Sequence, residues 1–81
     1  MSIENIVLQE LENITGTDEV RKNLDLELFG EKVLDSLGTV ELILALSAAF
    51  EIEVTPGQID RELWATPRKI IEYFQERVTL P

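Results

Sequence analysis

From Leu37 to Phe50 the chain carries Leu37, Val40, Leu42, Ile43, Leu44, Leu46, Ala48, Ala49 and Phe50, with Glu41 as its one charge and no helix breaker after Gly38. An apolar stretch of this length reads as a helix, because buried strands rarely exceed eight residues. Stepping about 100° per residue, Leu42, Ile43, Leu46, Ala49 and Phe50 cluster on one side. Leu37, Val40 and Leu44 fall on the opposite side, with Glu41 among them. A chain of 81 residues has room for a single small core and buries only about 60% of its unfolded surface. One helix in such a chain can hardly bury both faces. Two readings stay open: another part of the chain covers the second stripe, as the rarity of large exposed apolar patches suggests, or the stripe docks another protein. From Val33 to Asp60 there is no Lys or Arg, but there are Asp35, Glu41, Glu51, Glu53 and Asp60, so any such strip is acidic.

The remaining segments organise around this helix. Ile3, Ile6, Val7, Leu11 and Ile14 recur at helical spacing with Glu4, Glu10 and Glu12 between them, and they predict a first helix. Ser2 caps its start and Gly16 sits where a C-terminus favours positive φ. Residues 17–35 lack a period. Thr17, Asp18, Asn23, Asp25 and Gly30 interrupt the apolar anchors Val20, Leu24, Leu26, Leu28, Phe29, Val33 and Leu34, which reads as a long connection laid over the core. Ile52 and Val54 alternate with acids over too few residues for a strand. Thr55-Pro56-Gly57-Gln58 has capping-box spacing with Pro at the first helical position, and predicts a short helical turn around Ile59. Thr66-Pro67 repeats the cap-plus-Pro signal and opens a last helix with Ile70, Ile71, Phe74 and Val78. Arg77 suits its C-terminal dipole, and Trp64, just before the cap, reads as a core plug. Three longer helices, one short helix and a long first connection result.

Composition excludes most chemistry for this chain alone. The content is ordinary for a globular domain, 44% hydrophobic and 28% charged, but seven Lys and Arg against sixteen Asp and Glu leave a net charge of −9. That balance argues against nucleic acid and anionic bilayers as direct ligands. Cysteine and histidine are both absent, which removes disulfides, thiolate nucleophiles, the commonest general base and the commonest transition-metal ligands. No calcium loop of the D-x-[DN]-x-[DN]-G type is present. Neither a signal peptide nor a membrane span is visible, so a soluble cytoplasmic protein, not an enzyme, is expected.

Ser36 is the residue with a claim to chemistry. At a helix start, free backbone N–H groups and the positive dipole end favour a phosphate on or near its hydroxyl; the plain alternative is that Ser36 is simply the N-cap. No histidine can take its proton and no G-x-S-x-G context surrounds it. If the hydroxyl reacts, another enzyme activates it.

The stretch Leu34-Asp35-Ser36-Leu37-Gly38-Thr39-Val40-Glu41-Leu42 resembles the phosphopantetheine attachment motif of acyl and peptidyl carrier proteins. The resemblance covers nearly the whole chain. It implies an all-α, acyl-carrier-like four-helix bundle, with residues 1–81 forming one carrier domain. It also implies that a phosphopantetheinyl transferase attaches 4′-phosphopantetheine to Ser36, and that the cofactor thiol then holds an acyl or aminoacyl group as a thioester. Asp35, Leu37, Val40, Glu41 and Leu44 are the expected partner-docking residues. Asp60-Arg61-Glu62-Leu63-Trp64-Ala65-Thr66-Pro67 with Ile70-Ile71, and Leu28-Phe29 followed by Val33-Leu34-Asp35-Ser36, resemble the D-alanyl carriers of teichoic-acid modification more than the fatty-acid carriers. For those, the resemblance implies an adenylating ligase that loads D-alanine and a downstream, membrane-bound acyltransferase; the carrier is expected to be a monomer. Carriers often place acids just before the Phe that ends this helix, where this chain has Ser47-Ala48-Ala49. A carrier for fatty-acid, polyketide or peptide synthesis stays open, as does an unmodified acidic helical adaptor.

Overall fold

Capping chemistry sets the helix boundaries. The computed structural model describes residues 2–54 and 62–78, and its first helix, α1, spans Ile3–Thr15. The Ser2 hydroxyl accepts the Asn5 N–H at 3.0 Å, while Gly16 takes φ 74° and donates its N–H to Glu12 O, as the sequence predicts. α2 spans Glu19–Lys22, α3 spans Ser36–Phe50 and α4 spans Pro67–Arg77. At the start of α4 the Thr66 hydroxyl accepts the Lys69 N–H at 3.2 Å. At its end Arg77 donates to Tyr73 O at 3.2 Å and lays its guanidinium 3.7 Å above the Tyr73 ring. No strand forms among the described residues.

The short helix was expected around Ile59, from Thr55-Pro56-Gly57-Gln58, and that segment lies outside the described residues. A short helix does form at α2, within the stretch read as an irregular connection. Its single turn holds one apolar residue, Val20, too few for a period to register. Val20 is fully buried, and Arg21 pairs with Glu12 and donates to Asn5 Oδ1, so α2 lies against α1.

α1 is the hub on which both α3 and α4 pack. Ile3, Val7, Leu8 and Leu11 line its buried face, meeting Leu42, Ile43 and Leu46 from α3 and Ile70, Ile71 and Phe74 from α4. Trp64 is fully buried, which agrees with the core-plug reading. Its ring lies 5.7 Å from Tyr73 and 5.8 Å from Phe74, and Phe74 stacks on Phe50 at 4.9 Å. Each such aromatic pair contributes about 0.5–1.5 kcal/mol beyond its area burial. Those contacts offset the indole N–H of Trp64, which is buried with no hydrogen-bond partner.

The second stripe of α3 is bare. Leu37 is 69% exposed, Leu44 66% and Val40 39%, so the 17–35 connection does not cover them, and the covering alternative is overturned. The connection instead tucks Leu28 and Leu34 into the core and packs Leu24, Leu26, Phe29 and Val33 against it. Of the residues expected to face inward, Ala49 is exposed and Phe50 only half-buried. They occupy the last turn of α3, where Phe50 packs on Phe74 of α4 at the margin of the core.

Two ties hold the connection to the start of α4. The Leu28 N–H donates to Ala65 O at 2.8 Å and the Arg68 N–H to Leu24 O at 3.0 Å. The Arg68 guanidinium reinforces them with a two-point contact to Asp25, at 2.9 Å to Oδ1 and 3.4 Å to Oδ2. The hydrogen bond from Arg68, and then its charge, hold the Asp25 carboxyl below its ordinary 3.8.

Two outcomes follow from this packing. Leu46→Ala lowers unfolding free energy by about 2–5 kcal/mol because it leaves a core cavity, whereas Leu44→Ala stays within about 0.5 kcal/mol of wild type; urea denaturation followed by circular dichroism measures both. The Asp25–Arg68 contact is present above the ordinary Asp value and is lost as pH falls through the lower folded value. An NMR titration of the Asp25 carboxyl carbon shows a midpoint below 3.8, and Arg68→Gln brings it back up.

Candidate functional site

The start of α3 is capped by Asp35, not by Ser36. Asp35 has extended backbone, φ −109° and ψ −177°, and its Oδ1 accepts the Gly38 N–H at 2.7 Å. Its carbonyl accepts both the Thr39 N–H, at 2.9 Å, and the Thr39 hydroxyl, at 2.8 Å. Ser36 is therefore the first helical residue. A carboxylate outcompetes a hydroxyl here, since a charged acceptor makes the stronger bond to an N–H and also favours the dipole.

The Asp35 cap frees Ser36. With Asp35 holding the third N–H of the helix, the Ser36 hydroxyl has no capping duty, and the residue is exposed. The Ser36 and Leu37 N–H groups, first and second of the helix, have no acceptor among the described residues. A serine ester of a phosphate would find two donors and the positive dipole end beside it.

Gly38 permits this close arrangement. A Cβ there would stand 3.0 Å from Leu34 Cδ1, 3.1 Å from Asp35 Oδ1 and 3.5 Å from Ile14 Cγ2. Gly38 thus lets the capping carboxylate, the buried Leu34 and α1 converge on the first turn. The sequence reading assigns Gly38 no role beyond marking the point after which no helix breaker follows. Its signal was the Asp-x-x-Gly spacing, which puts a bare N–H three residues after a capping carboxylate.

Leu37, Val40, Glu41 and Leu44 lie at i, i+3, i+4 and i+7 on α3 and share its outward face. All are exposed, so four of the five expected docking residues share one face, while Asp35, also exposed, sits at the cap before Ser36. Glu41 is the sole charge on the 15-residue helix. Among the described residues, no group of three or more His, Cys, Asp or Glu is placed to hold a metal ion.

The sequence matches the family described as "Phosphopantetheine attachment site" over residues 5–74. It is 49% identical over 75 residues to the D-alanyl carrier protein of Enterococcus faecalis, covering 93% of this chain and 96% of that one. The D-alanyl carrier proteins of Lacticaseibacillus rhamnosus, 49% identical with 93% of each chain covered, and of Listeria innocua, 44% identical with 93% and 96% covered, are similar. The chain belongs to the D-alanyl carrier protein family. It is a carrier on which partner enzymes act, and not itself a catalyst; its cofactor is phosphopantetheine, held covalently on a serine. The matched span contains two serines, Ser36 and Ser47. The Ser47 Oγ is buried without a hydrogen-bond partner, whereas Ser36 is exposed at the helix start. No described helix is long and apolar enough to cross a membrane.

The two neighbouring positions have separable effects. Asp35→Ala removes the cap and lowers unfolding free energy by about 0.5–2 kcal/mol. Ser36→Ala, at a position with no capping bond to lose, changes it by less than about 0.5 kcal/mol. Thermal and urea denaturation of the two variants side by side measure the difference.

Proposed function

We propose that Ser36 is the attachment serine and that the chain carries D-alanine for teichoic-acid modification of the cell envelope. The observation that carries the first part is the exposed Ser36 hydroxyl beside two free N–H groups, with Asp35 taking the cap. Bound there, phosphopantetheine supplies the thiol that a chain without cysteine lacks, and D-alanine rides on it as a thioester. The helix start orients the ester phosphate, while Asp35 and Gly38 keep the first turn rigid. The cargo reading rests on the D-alanyl carrier relatives.

The 81 residues act as one monomeric, cytoplasmic carrier domain with no nucleic-acid role. Three partners are needed: a phosphopantetheinyl transferase, a ligase that adenylates D-alanine and loads the thiol, and a downstream membrane-bound acyltransferase. They seat on the outward face of α3, over Leu37, Val40 and Leu44, with Asp35 and Glu41 as its acidic contacts. The exposure of three large apolar side chains on one face supports this surface.

Incubated with coenzyme A and a broad-range phosphopantetheinyl transferase, the wild type gains one phosphopantetheine by intact mass and Ser36→Ala gains none. Val40→Asp, with the melting temperature near wild type, raises KM for the transfer. A wild type that stays unmodified with several transferases would favour an unmodified adaptor, and a modified form that D-alanine ligases do not load would favour a different acyl cargo.

A further inference from the structure

The first turn of α3 is tied to residues roughly thirty positions later in the chain. Residues 27–31 make a single helical turn, with the Glu31 N–H on Glu27 O at 2.8 Å, and Lys32 closes it in left-handed backbone at φ 57°. The turn leaves Leu28 O as a common acceptor for the N–H groups of Val33, at 2.8 Å, and Leu34, at 2.9 Å. Leu28 is also the residue whose N–H is fixed to Ala65 O at 2.8 Å. Its peptide groups therefore join the start of α4 to the two residues that lead into Asp35.

The path continues without a gap. Leu34 is buried and its Cδ1 lies against Gly38, whose missing Cβ would stand 3.0 Å away. The Gly38 N–H is held by Asp35, and Ser36 lies between them. At the far end Arg68 fastens the connection twice, by its own N–H on Leu24 O and by its guanidinium on Asp25. Arg68 and Asp25 are both exposed, with side chains 53% and 70% accessible. A pair this open adds little to global stability, so its geometric effect can be separated from folding.

We propose that Arg68 is a positioning residue for phosphopantetheine transfer, acting on Ser36 through the 24–35 connection without touching the reacting groups. This rests on the assignment of Ser36 as the attachment serine. With the connection fastened, Leu34 and Asp35 enter α3 at one angle and the Ser36 hydroxyl has one preferred orientation. With it released, the first turn samples several, and fewer encounters with the transferase place the hydroxyl in line. Val40, Glu41 and Leu44 lie beyond the first turn of α3 and keep their places on the outward face, so the effect falls mainly on kcat and far less on KM. Contacts linked in this way modulate a distant site by roughly 2- to 30-fold.

The test is a charge swap on the full chain: wild type, Arg68→Asp, Asp25→Arg, and the double variant Asp25→Arg/Arg68→Asp. Initial rates of modification by a broad-range transferase are measured against carrier concentration, with ¹H–¹⁵N spectra of the unmodified proteins alongside. Arg68→Asp is expected to lower kcat by roughly 2- to 30-fold with KM near wild type, and to move the amide resonances of Ser36, Leu37 and Gly38. The double variant, with its ion pair reversed, restores both. Unchanged kcat and unmoved amides overturn the proposal. So does a raised KM that the double variant fails to restore, since Arg68 would then contact the transferase directly. Should Arg68→Asp fail to fold by circular dichroism, Asp25→Asn removes the pair without adding repulsion and is read in the same way. If the wild type itself takes up no phosphopantetheine, the Ser36 assignment fails, and the amide shifts alone then decide whether Arg68 reaches the site.

Discussion

The packing of Leu42, Ile43 and Leu46 against α1 decides the rest of the molecule. α3 is apolar nearly all round, and a cylinder of about 10 Å diameter can be covered on one side only by a core this small. Once those three side chains turn inward, Leu37, Val40 and Leu44 point outward, because half a turn separates the two sets. The exposed strip is thus a geometric result of the core and not a defect in it. α1 serves both α3 and α4, so a cavity beneath Leu46 weakens the same hub that supports α4.

The first connection performs a different task. It is long for a small domain, yet its main chain is held at several points. Leu28 and Leu34 plug into the core, Leu28 bonds to Ala65 and Arg68 bonds to Leu24. The segment behaves as a bracket between the start of α4 and the start of α3. A reactive hydroxyl on a helix end gains from such a bracket, because the end of a helix has the fewest hydrogen bonds of its own.

Much of this is legible in the sequence. Ser2, Gly16 and Thr66-Pro67 carry local capping chemistry and mark their helix ends correctly, and the apolar spacing of α1 and α4 picks the buried faces. The motif around Ser36 identified the family for the same reason: its information is contiguous in the chain. What the sequence reading missed was either too short or too distant. α2 has one apolar residue and no period to detect. Asp35 rather than Ser36 caps α3, a contest between adjacent residues that spacing rules do not resolve. The Leu28–Ala65 and Leu24–Arg68 bonds use main-chain atoms that no residue pattern encodes. Whether the outer stripe of α3 was covered depended on where the connection runs, which is a tertiary fact.

A single charge on α3 has a kinetic consequence. The net charge of −9 sits almost wholly off the helix whose outward face holds Leu37, Val40 and Leu44, where Glu41 is the one acidic residue. For a basic partner that seats on that face, long-range attraction comes mostly from the rest of the molecule and speeds encounter, while the final contact is mainly apolar, with Asp35 and Glu41 at its polar part. Added salt screens the first and hardly touches the second. The arrival rate of such a partner then falls more steeply with ionic strength than its residence time does, so charge governs how often the carrier is visited and the apolar strip governs mainly how long each visit lasts.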